Sequence, residues 1–487
     1  MISSSVFKRH PTGLFTFTFA EFWGRFNYYG IQTLLVLYLT KNFSFSANLS
    51  YSAYGVYTTF AFIMPLVGGL LADRWFGLFN TVIVGTSFVL AGNVLLFIGG
   101  LKVTYFGLAL IILGIGLYKT AYTSLVGEIY PASDSRRQAG FTWFYMGMNL
   151  GAIFGPIIYG LLAYNIAWRY AFLSSAVGVL SGFILFLLRK KTIYNTTRLK
   201  KRYNENFPVV ALKLNYICLY AALFATVFTV FIIFSYPFLL NIFIIIFFTI
   251  VLIVLFLFVK RYSFEQRRRI LGLLCLTFFA TFFFSSTLQL ASSVILFIHD
   301  HINRTFFGFT IPAQLFGSLE PLSVVIMMPA LTYLWLKLRA VNCDPAEPYK
   351  IFIGISLASL GFFIFTLSAL ASQHGQQHWA LVLIVIANLV IGTGELALMP
   401  AMLAAISRYA PLDFKGTMMG VWFLSSAFAG YIGSWLAKIS VYHDKYMHAK
   451  NLPVSNFIYG FFAVAVIICL LALLLLAVAQ PIKKLLY

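Results

Sequence analysis

The sequence predicts an all-α polytopic membrane protein of fourteen spans arranged in two halves. Three observations carry that prediction. Of the 487 residues, 61% are hydrophobic and only 10% are charged, where soluble domains are roughly half apolar and about a quarter charged. The apolar excess runs from end to end, which excludes a soluble protein and also a soluble domain on a single anchor. The few charges are sorted by loop.

Apolar runs of about 20 residues, long enough to cross a bilayer, lie at 13–40, 51–72, 79–99, 103–127, 138–163, 168–188, 209–234, 238–260, 270–299, 313–338, 348–371, 379–408, 414–440 and 455–480. Fourteen such helices use about 280 residues and leave room for loops. The first run contains Glu21 and Arg25 and lacks a small-residue cleavage site. It reads as a retained helix rather than a signal peptide. The seventh and eighth runs are the most purely apolar and read as lipid-facing spans that line no cavity. The basic segment 189–208 marks the break between the halves. The runs then group as six spans over 1–188, a basic linker with two further spans over 189–269, and six spans over 270–487.

The net charge is +21. With the N-terminus placed in the cytoplasm, 25 of the 34 Lys and Arg residues fall on that side and 7 on the outer side. Arg25 and Lys119 lie within spans. This bias predicts a multi-pass protein with both ends cytoplasmic. It accounts for the charge without a nucleic-acid partner. Segment 189–208 reads as a solvated loop against anionic lipid. His299, His301, His374, His378, His443 and His448 fall in outer loops and read as incidental. Cys218, Cys275, Cys343 and Cys469 fit neither a metal site nor a disulfide framework. No cofactor is expected, and no phosphate-binding Gly-x-x-x-x-Gly-Lys-Ser/Thr loop points to ATP.

Two loops echo one another. Tyr130-Pro-Ala-Ser-Asp precedes one glycine-rich span and Tyr409-Ala-Pro-Leu-Asp another. Each follows a span with a buried charge, Lys119 and Glu395 respectively. Such halves suit a transporter built from repeats.

A charge at bilayer depth costs a few kcal/mol even on lenient scales, so it is a functional candidate by default. Glu21, Arg25, Lys119, Glu320 and Glu395 qualify. At about 100° per residue, Glu21, Arg25, Tyr28, Tyr29 and Gln32 share one face of the first helix. Glu21 is one turn from Arg25 and can pair with it. Arg25 can fork a carboxylate, Lys119 adds a second cation, and Glu395 can receive an ammonium. That set suits a small zwitterion, with Tyr28, Tyr29 and Trp422 as tolerant walls.

Several motifs together resemble the proton-dependent oligopeptide transporter family. Glu21-Phe-Trp-Gly-Arg-Phe-Asn-Tyr-Tyr-Gly30 is similar to its first-helix pattern Glu-x-x-Glu-Arg-Phe-x-Tyr-Tyr-Gly. Gly68-Gly-Leu-Leu-Ala-Asp-Arg74, Gly114-Ile-Gly-Leu-Tyr-Lys119 and Phe144-Tyr-Met-Gly-Met-Asn-Leu-Gly151 resemble its second, fourth and fifth helix motifs. Gly394-Glu-Leu-Ala-Leu-Met-Pro400 and Gly416-Thr-Met-Met-Gly-Val-Trp422 resemble its tenth and eleventh. The resemblance implies a major facilitator fold, with two six-helix bundles and two extra helices between them as in the prokaryotic branch. It implies import of di- and tripeptides by proton symport with alternating access, by a monomer. Carried over, Arg25, Lys119 and Tyr29 hold the peptide carboxyl end. Asn149 and Glu395 help hold the amino end. Trp422 and Ser426 line side-chain pockets, and Glu21 joins the proton relay beside Arg25.

The chain departs from the family pattern in defined places. The second acid of the first-helix motif is Gly24, and the arginine expected one turn further on from the motif is Gln32. A second-helix tyrosine aligns with Phe62, the seventh-helix acid with Leu288, and the asparagine before the eighth-helix proline with Glu320. Gln32 and Leu288 together look like one deleted ion pair. Glu320 is expected to take over proton coupling, pairing with Lys119 or Arg25, or else simply to cap its helix. The alternative reading is a family member with altered substrate or weakened coupling. A membrane-embedded enzyme is disfavoured, because the spans show no paired carboxylates and no buried His.

Overall fold

The computed structural model describes residues 10–130, 134, 136–196, 209–411, 414–442 and 452–486. His443, His448, most of the basic segment 189–208 and part of each echo loop lie outside these residues. Fourteen long helices cover the fourteen expected runs. In the first half they are α1 (Thr12–Leu37), α2 (Ala47–Leu71), α3 (Gly77–Ile98), α4 (Leu101–Glu128), α5 (Arg136–Asn165) and α6 (Trp168–Thr196). The extra pair is α7 (Val209–Ser235) and α8 (Leu239–Val259). The ninth run is α9 (Phe264–Thr287) continued by the short α10 (Ser293–His301). Then come α11 (Leu319–Ala340), α12 (Glu347–Gln373), α13 (Gln377–Tyr409), α14 (Lys415–Tyr442) and α15 (Val454–Leu486). Eleven spans among the described residues are long and apolar enough to cross a membrane.

Local chemistry explains several boundaries. The Asp134 carboxylate accepts the Arg136 backbone N–H at 2.9 Å and an Arg136 Nη2 hydrogen at 2.7 Å, capping α5. Those side-chain hydrogen bonds push the Asp134 carboxyl down to about 2. Ser263 and Gln266 exchange hydrogen bonds as a capping box at the start of α9. The break after α9 was not foreseen. Ser285, Ser286 and Thr287 each turn a hydroxyl back onto the carbonyl three residues earlier. That bonding competes with the helical ladder, and the chain passes through a 3₁₀ turn at Leu288–Ala291 before α10 begins. Helix α1 ends in a widened π turn, Tyr38–Asn42.

The chain forms two compact units. One holds residues 1–32 and 60–236, the other 33–59 and 237–487. Lipid offers helices no hydrophobic drive to associate, so small residues that permit close approach decide the packing. In the first unit, Gly147, Gly151 and Gly155 form a stripe along α5 at four-residue spacing. A Cβ at Gly151 would lie 2.3 Å from the Phe22 carbonyl oxygen, and one at Gly155 2.5 Å from that of Phe26. Helix α1 therefore lies directly on the α5 backbone. Gly68 and Gly116 bring α2 and α4 equally close. Helix α7 packs on α4 through the stacked rings of Tyr105 and Phe234, 5.5 Å apart. In the second unit, Gly354 and Gly394 join α12 to α13, each Cβ position 2.7 Å from the opposite carbonyl. Helix α8 is the least buried span, as its uniform apolarity implies.

Because the Gly155 approach is backbone to backbone, neither partner can give by rotating. Gly155→Ala should cost about 1–3 kcal/mol of stability by overpacking. Gly69, with nothing within 4 Å of its Cβ position, is the control, and Gly69→Ala should stay within about 0.5 kcal/mol. Thermal unfolding of the detergent-solubilised variants, followed by tryptophan fluorescence, measures both.

Candidate substrate and proton site

In the first unit, α1, α2 and α4 line a small cavity. Its walls include Glu21, Arg25, Tyr28, Phe62, Tyr118 and Lys119. The α5 glycine stripe sets α1 in place, since a Cβ at Gly151 would meet the Arg25 Cβ at 2.9 Å. The paired carboxylate and guanidinium expected from the one-turn spacing are present. Arg25 Nε donates to Glu21 Oε1 at 3.1 Å. The Glu21 side chain is 2% exposed and that of Arg25 22%. Arg25 therefore reaches the cavity with part of its fork still available, and Nη2 also contacts Met148 Sδ at 3.3 Å. Glu21 Oε2 is buried without a hydrogen-bond partner among the described residues. A buried carboxylate oxygen left in this way is costly.

Lys119 lies with its ammonium 5.7 Å from the Phe62 ring centroid, a cation–π distance. Phe62 thus replaces a phenol by a bare ring that still holds the cation. Tyr28 stands edge-on to both Tyr29, at 5.1 Å, and Phe62, at 6.4 Å, so the wall is aromatic as expected. Asn149, one residue beyond Met148, donates its amide to the Tyr145 carbonyl at 2.9 Å.

The sequence reading assigned Tyr118 no role, yet it explains Gly24. A Cβ at Gly24 would lie 2.3 Å from the Tyr118 hydroxyl. The tyrosine fills the space in which the second acid of the first-helix pattern would begin. A neutral phenol has taken the place of a titratable carboxyl. The available signal was Tyr118 standing beside Lys119 in the fourth-helix motif.

The second unit holds the other buried acids. Glu320 sits in the first turn of α11, where its carboxylate faces the positive end of the helix. The first turn of α11 rests on Gly392 of α13, whose Cβ position is 3.1 Å from the Glu320 carbonyl oxygen and 2.7 Å from Ser323 Cβ. One turn along α13 is Glu395, and the Glu320 and Glu395 carboxyls lie close enough to interact electrostatically. The expectation of no paired carboxylates in the spans is therefore corrected. The two acids are far apart in sequence, and only the close α11–α13 contact joins them. Trp422 is buried edge-on to Phe284, 5.6 Å between centroids, with Ser426 one turn further along α14 and also buried. The lost-acid position, Leu288, opens the 3₁₀ turn and is buried. Its carbonyl accepts the Tyr54 hydroxyl at 2.8 Å.

Comparison with known proteins bears on this arrangement directly. Residues 79–453 match the POT family. The chain belongs to the POT family. It is 32% identical over 470 residues to an uncharacterized transporter, YclF, of Bacillus subtilis (strain 168), covering 93% of each chain. It is 29% identical over 503 residues to the peptide transporter YePEPT of Yersinia enterocolitica, covering 98% of this chain and 96% of that one. Among solved structures, a peptide transporter POT in complex with alafosfalin superposes with a TM-score of 0.83 at 29% identity. The match covers 99% of this chain and 96% of that chain. A POT family transporter in complex with 5-aminolevulinic acid superposes with a TM-score of 0.82 at 25% identity, covering 98% of both chains. This POT-family chain is therefore a multi-pass membrane protein with the major facilitator fold. Its family is one of transporters, not of enzymes.

The Glu21–Arg25 pair gives a stability test. Removing one partner of a buried ion pair leaves an uncompensated charge and costs about 3–5 kcal/mol. Arg25→Leu should therefore lower the thermal midpoint clearly. Adding Glu21→Gln to Arg25→Leu should recover part of the loss, because the stranded carboxylate is gone. A double variant no more stable than Arg25→Leu would show that Glu21 is not the charge being stranded.

Proposed function

We propose that this chain imports di- and tripeptides by proton symport with alternating access, as a monomer with both termini in the cytoplasm. The observation that carries the reading is the Arg25 guanidinium, fixed by Glu21 yet still open to a cavity shared with Lys119. Two cations in an aromatic-walled pocket favour a ligand carboxylate. Arg25, Lys119 and Tyr29 take the peptide carboxyl end, with Tyr28 as an aromatic wall. Asn149 and Glu395 take the amino end, and Trp422 and Ser426 the side chains. Membership of the POT family, a peptide-transporting relative and ligand-bound family structures support the substrate class. The 25 to 7 distribution of Lys and Arg supports the orientation.

Proton coupling has its own support in two places. Glu21 can lose its proton while Arg25 is beside it and regain one when the pair separates, because a neighbouring cation favours the ionised form. In the second unit, Glu320 and Glu395 are neighbouring carboxyls, and two carboxyls in contact resist ionising together. Glu320 is assigned to coupling on the strength of that proximity. The second reading, a member with altered substrate or weakened coupling, is favoured by Gly24 and Leu288, two positions without the family's acids.

Uptake of labelled di-alanine by purified protein in liposomes distinguishes the readings. Symport predicts accumulation above equilibrium only with an inward proton gradient. Equilibration independent of the gradient would establish the second reading, and no uptake of any short peptide would remove the substrate assignment. Glu320→Gln, which can still hydrogen-bond Glu395 but cannot release a proton, should cut gradient-driven accumulation at least tenfold while sparing peptide exchange.

A further inference from the structure

Within the second unit, the turn that joins α8 to α9 gathers cations. Lys260 and Arg261 follow α8, and Arg267, Arg268 and Arg269 lie in the first two turns of α9. Glu265 is the only acid among residues 260–269. Both helices are apolar and long enough to cross a membrane. The turn between them therefore lies where lipid headgroups meet water. None of the five cations forms an ion pair with a carboxylate among the described residues.

Backbone carbonyls hold two of them in place. Arg267 Nε donates to the Tyr262 carbonyl at 2.7 Å and Nη2 to the Lys260 carbonyl, at the end of a helix whose last carbonyls lack helical partners. Arg268 Nη2 donates to the Lys484 carbonyl of α15 at 2.8 Å, which brings the last-turn cations Lys483 and Lys484 to the same place. The α9–α15 contact is close, because a Cβ at Gly272 would lie 2.9 Å from Leu486 Cδ2. Tyr262 and Phe258 both pack on the buried Phe414 ring, 5.4 and 5.9 Å between centroids. Seven basic residues and one acid therefore meet here. The two helix C-termini offer only about half a negative charge each, too little to balance them.

The surface beside the cations is apolar. Phe264, the first residue of α9, is 75% exposed, and Phe256, Leu257 and Leu271 are exposed as well. Lys260 lies 4.5 Å from the Phe256 ring centroid and Arg261 5.5 Å from that of Phe258, so charge and ring alternate along the end of α8. A small soluble anion uses only the cations of such a surface. A phospholipid uses both parts, because a guanidinium can fork its phosphate oxygens and its acyl chains can lie on the exposed rings and leucines. Helix α8 is the least buried span, which leaves room for those chains.

We propose that the α8–α9 turn and the end of α15 form a binding site for an anionic phospholipid, whose headgroup sits among the cations of residues 260–269 and whose acyl chains lie along α8 and Phe264. The site is independent of what the chain transports. Native mass spectrometry of the full chain in detergent, titrated with dioleoyl phosphatidylglycerol or dioleoyl phosphatidylcholine, tests it. Phosphatidylglycerol should bind at least about tenfold more tightly than phosphatidylcholine, since each basic residue beside an anionic lipid surface is worth about fivefold. Arg261 and Arg269 are exposed, and replacing them leaves the carbonyl-bound Arg267 and Arg268 in place. Arg261→Gln with Arg269→Gln should weaken the tightest phosphatidylglycerol binding at least about tenfold by the same scale. Arg261→Lys with Arg269→Lys keeps the charge and should stay within about threefold of the parent. Lys191→Gln with Lys337→Gln, which removes two equally exposed charges elsewhere, should bind as the parent. Equal binding of the two lipids, parent-like binding by the glutamine pair at 261 and 269, or equal loss in the pair at 191 and 337 would overturn the proposal. So would displacement of the lipid by inorganic phosphate, which would assign the cations to a free anion instead.

Discussion

The rest of the structure depends on the cost of an ionised carboxylate at bilayer depth. Glu21 is almost fully buried, and without Arg25 its charge would be untenable there. The pairing needs more than the one-turn spacing of the two residues. It needs α1 pressed against α5 so that Arg25 is aimed at the cavity and not at lipid. The α5 glycine stripe does this by removing side chains where the Phe22 and Phe26 carbonyls must lie. A packing constraint and an electrostatic constraint are therefore met by the same helix contact. This is why a glycine-rich fifth span and a charged first span belong together in the sequence.

The same reasoning joins the acids of the second unit. Two carboxyls in contact resist ionising together, so their proximity raises the cost of placing both charges there. The contact exists because Gly392 admits the first turn of α11. The neighbours contribute no charge: Phe283 of α9 and Leu357 of α12 face the α13 backbone beside Glu395. The charged first turn of α12 is anchored elsewhere, with Glu347 taking the Tyr409 hydroxyl at 3.3 Å. Fourteen residues separate Tyr409 from Glu395 on α13, about 21 Å of helix.

Much of this was legible in the sequence. The fourteen spans follow from apolar length alone, and the polar stripe of α1 follows from helical period. The aromatic wall and the Glu21–Arg25 pair followed from the stripe. What sequence could not supply were contacts between elements distant along the chain. Glu320 could be recognised as a stranded acid, but its partner depends on how closely α11 and α13 approach. Gly24 could be read as a missing acid, but not as the space taken by Tyr118. His299 reads as an outer-loop residue in the sequence, yet the ninth span, broken after α9, carries it in the short helix α10. The break itself arises from hydroxyls bonding back to their own helix, a local competition that apolar patterning conceals.

The departures also share a physical direction. Gly24, Gln32, Phe62 and Leu288 each remove a polar or charged group from a span. Tyr118, the Lys119–Phe62 contact and the Tyr54–Leu288 hydrogen bond refill those positions with aromatic or neutral groups. The remaining charge is concentrated in the Glu21–Arg25 pair, in the neighbouring Glu320 and Glu395 carboxyls, and in the Lys41–Asp300 pair after α1. An ion pair near water pays less desolvation than one at bilayer depth but also binds less strongly.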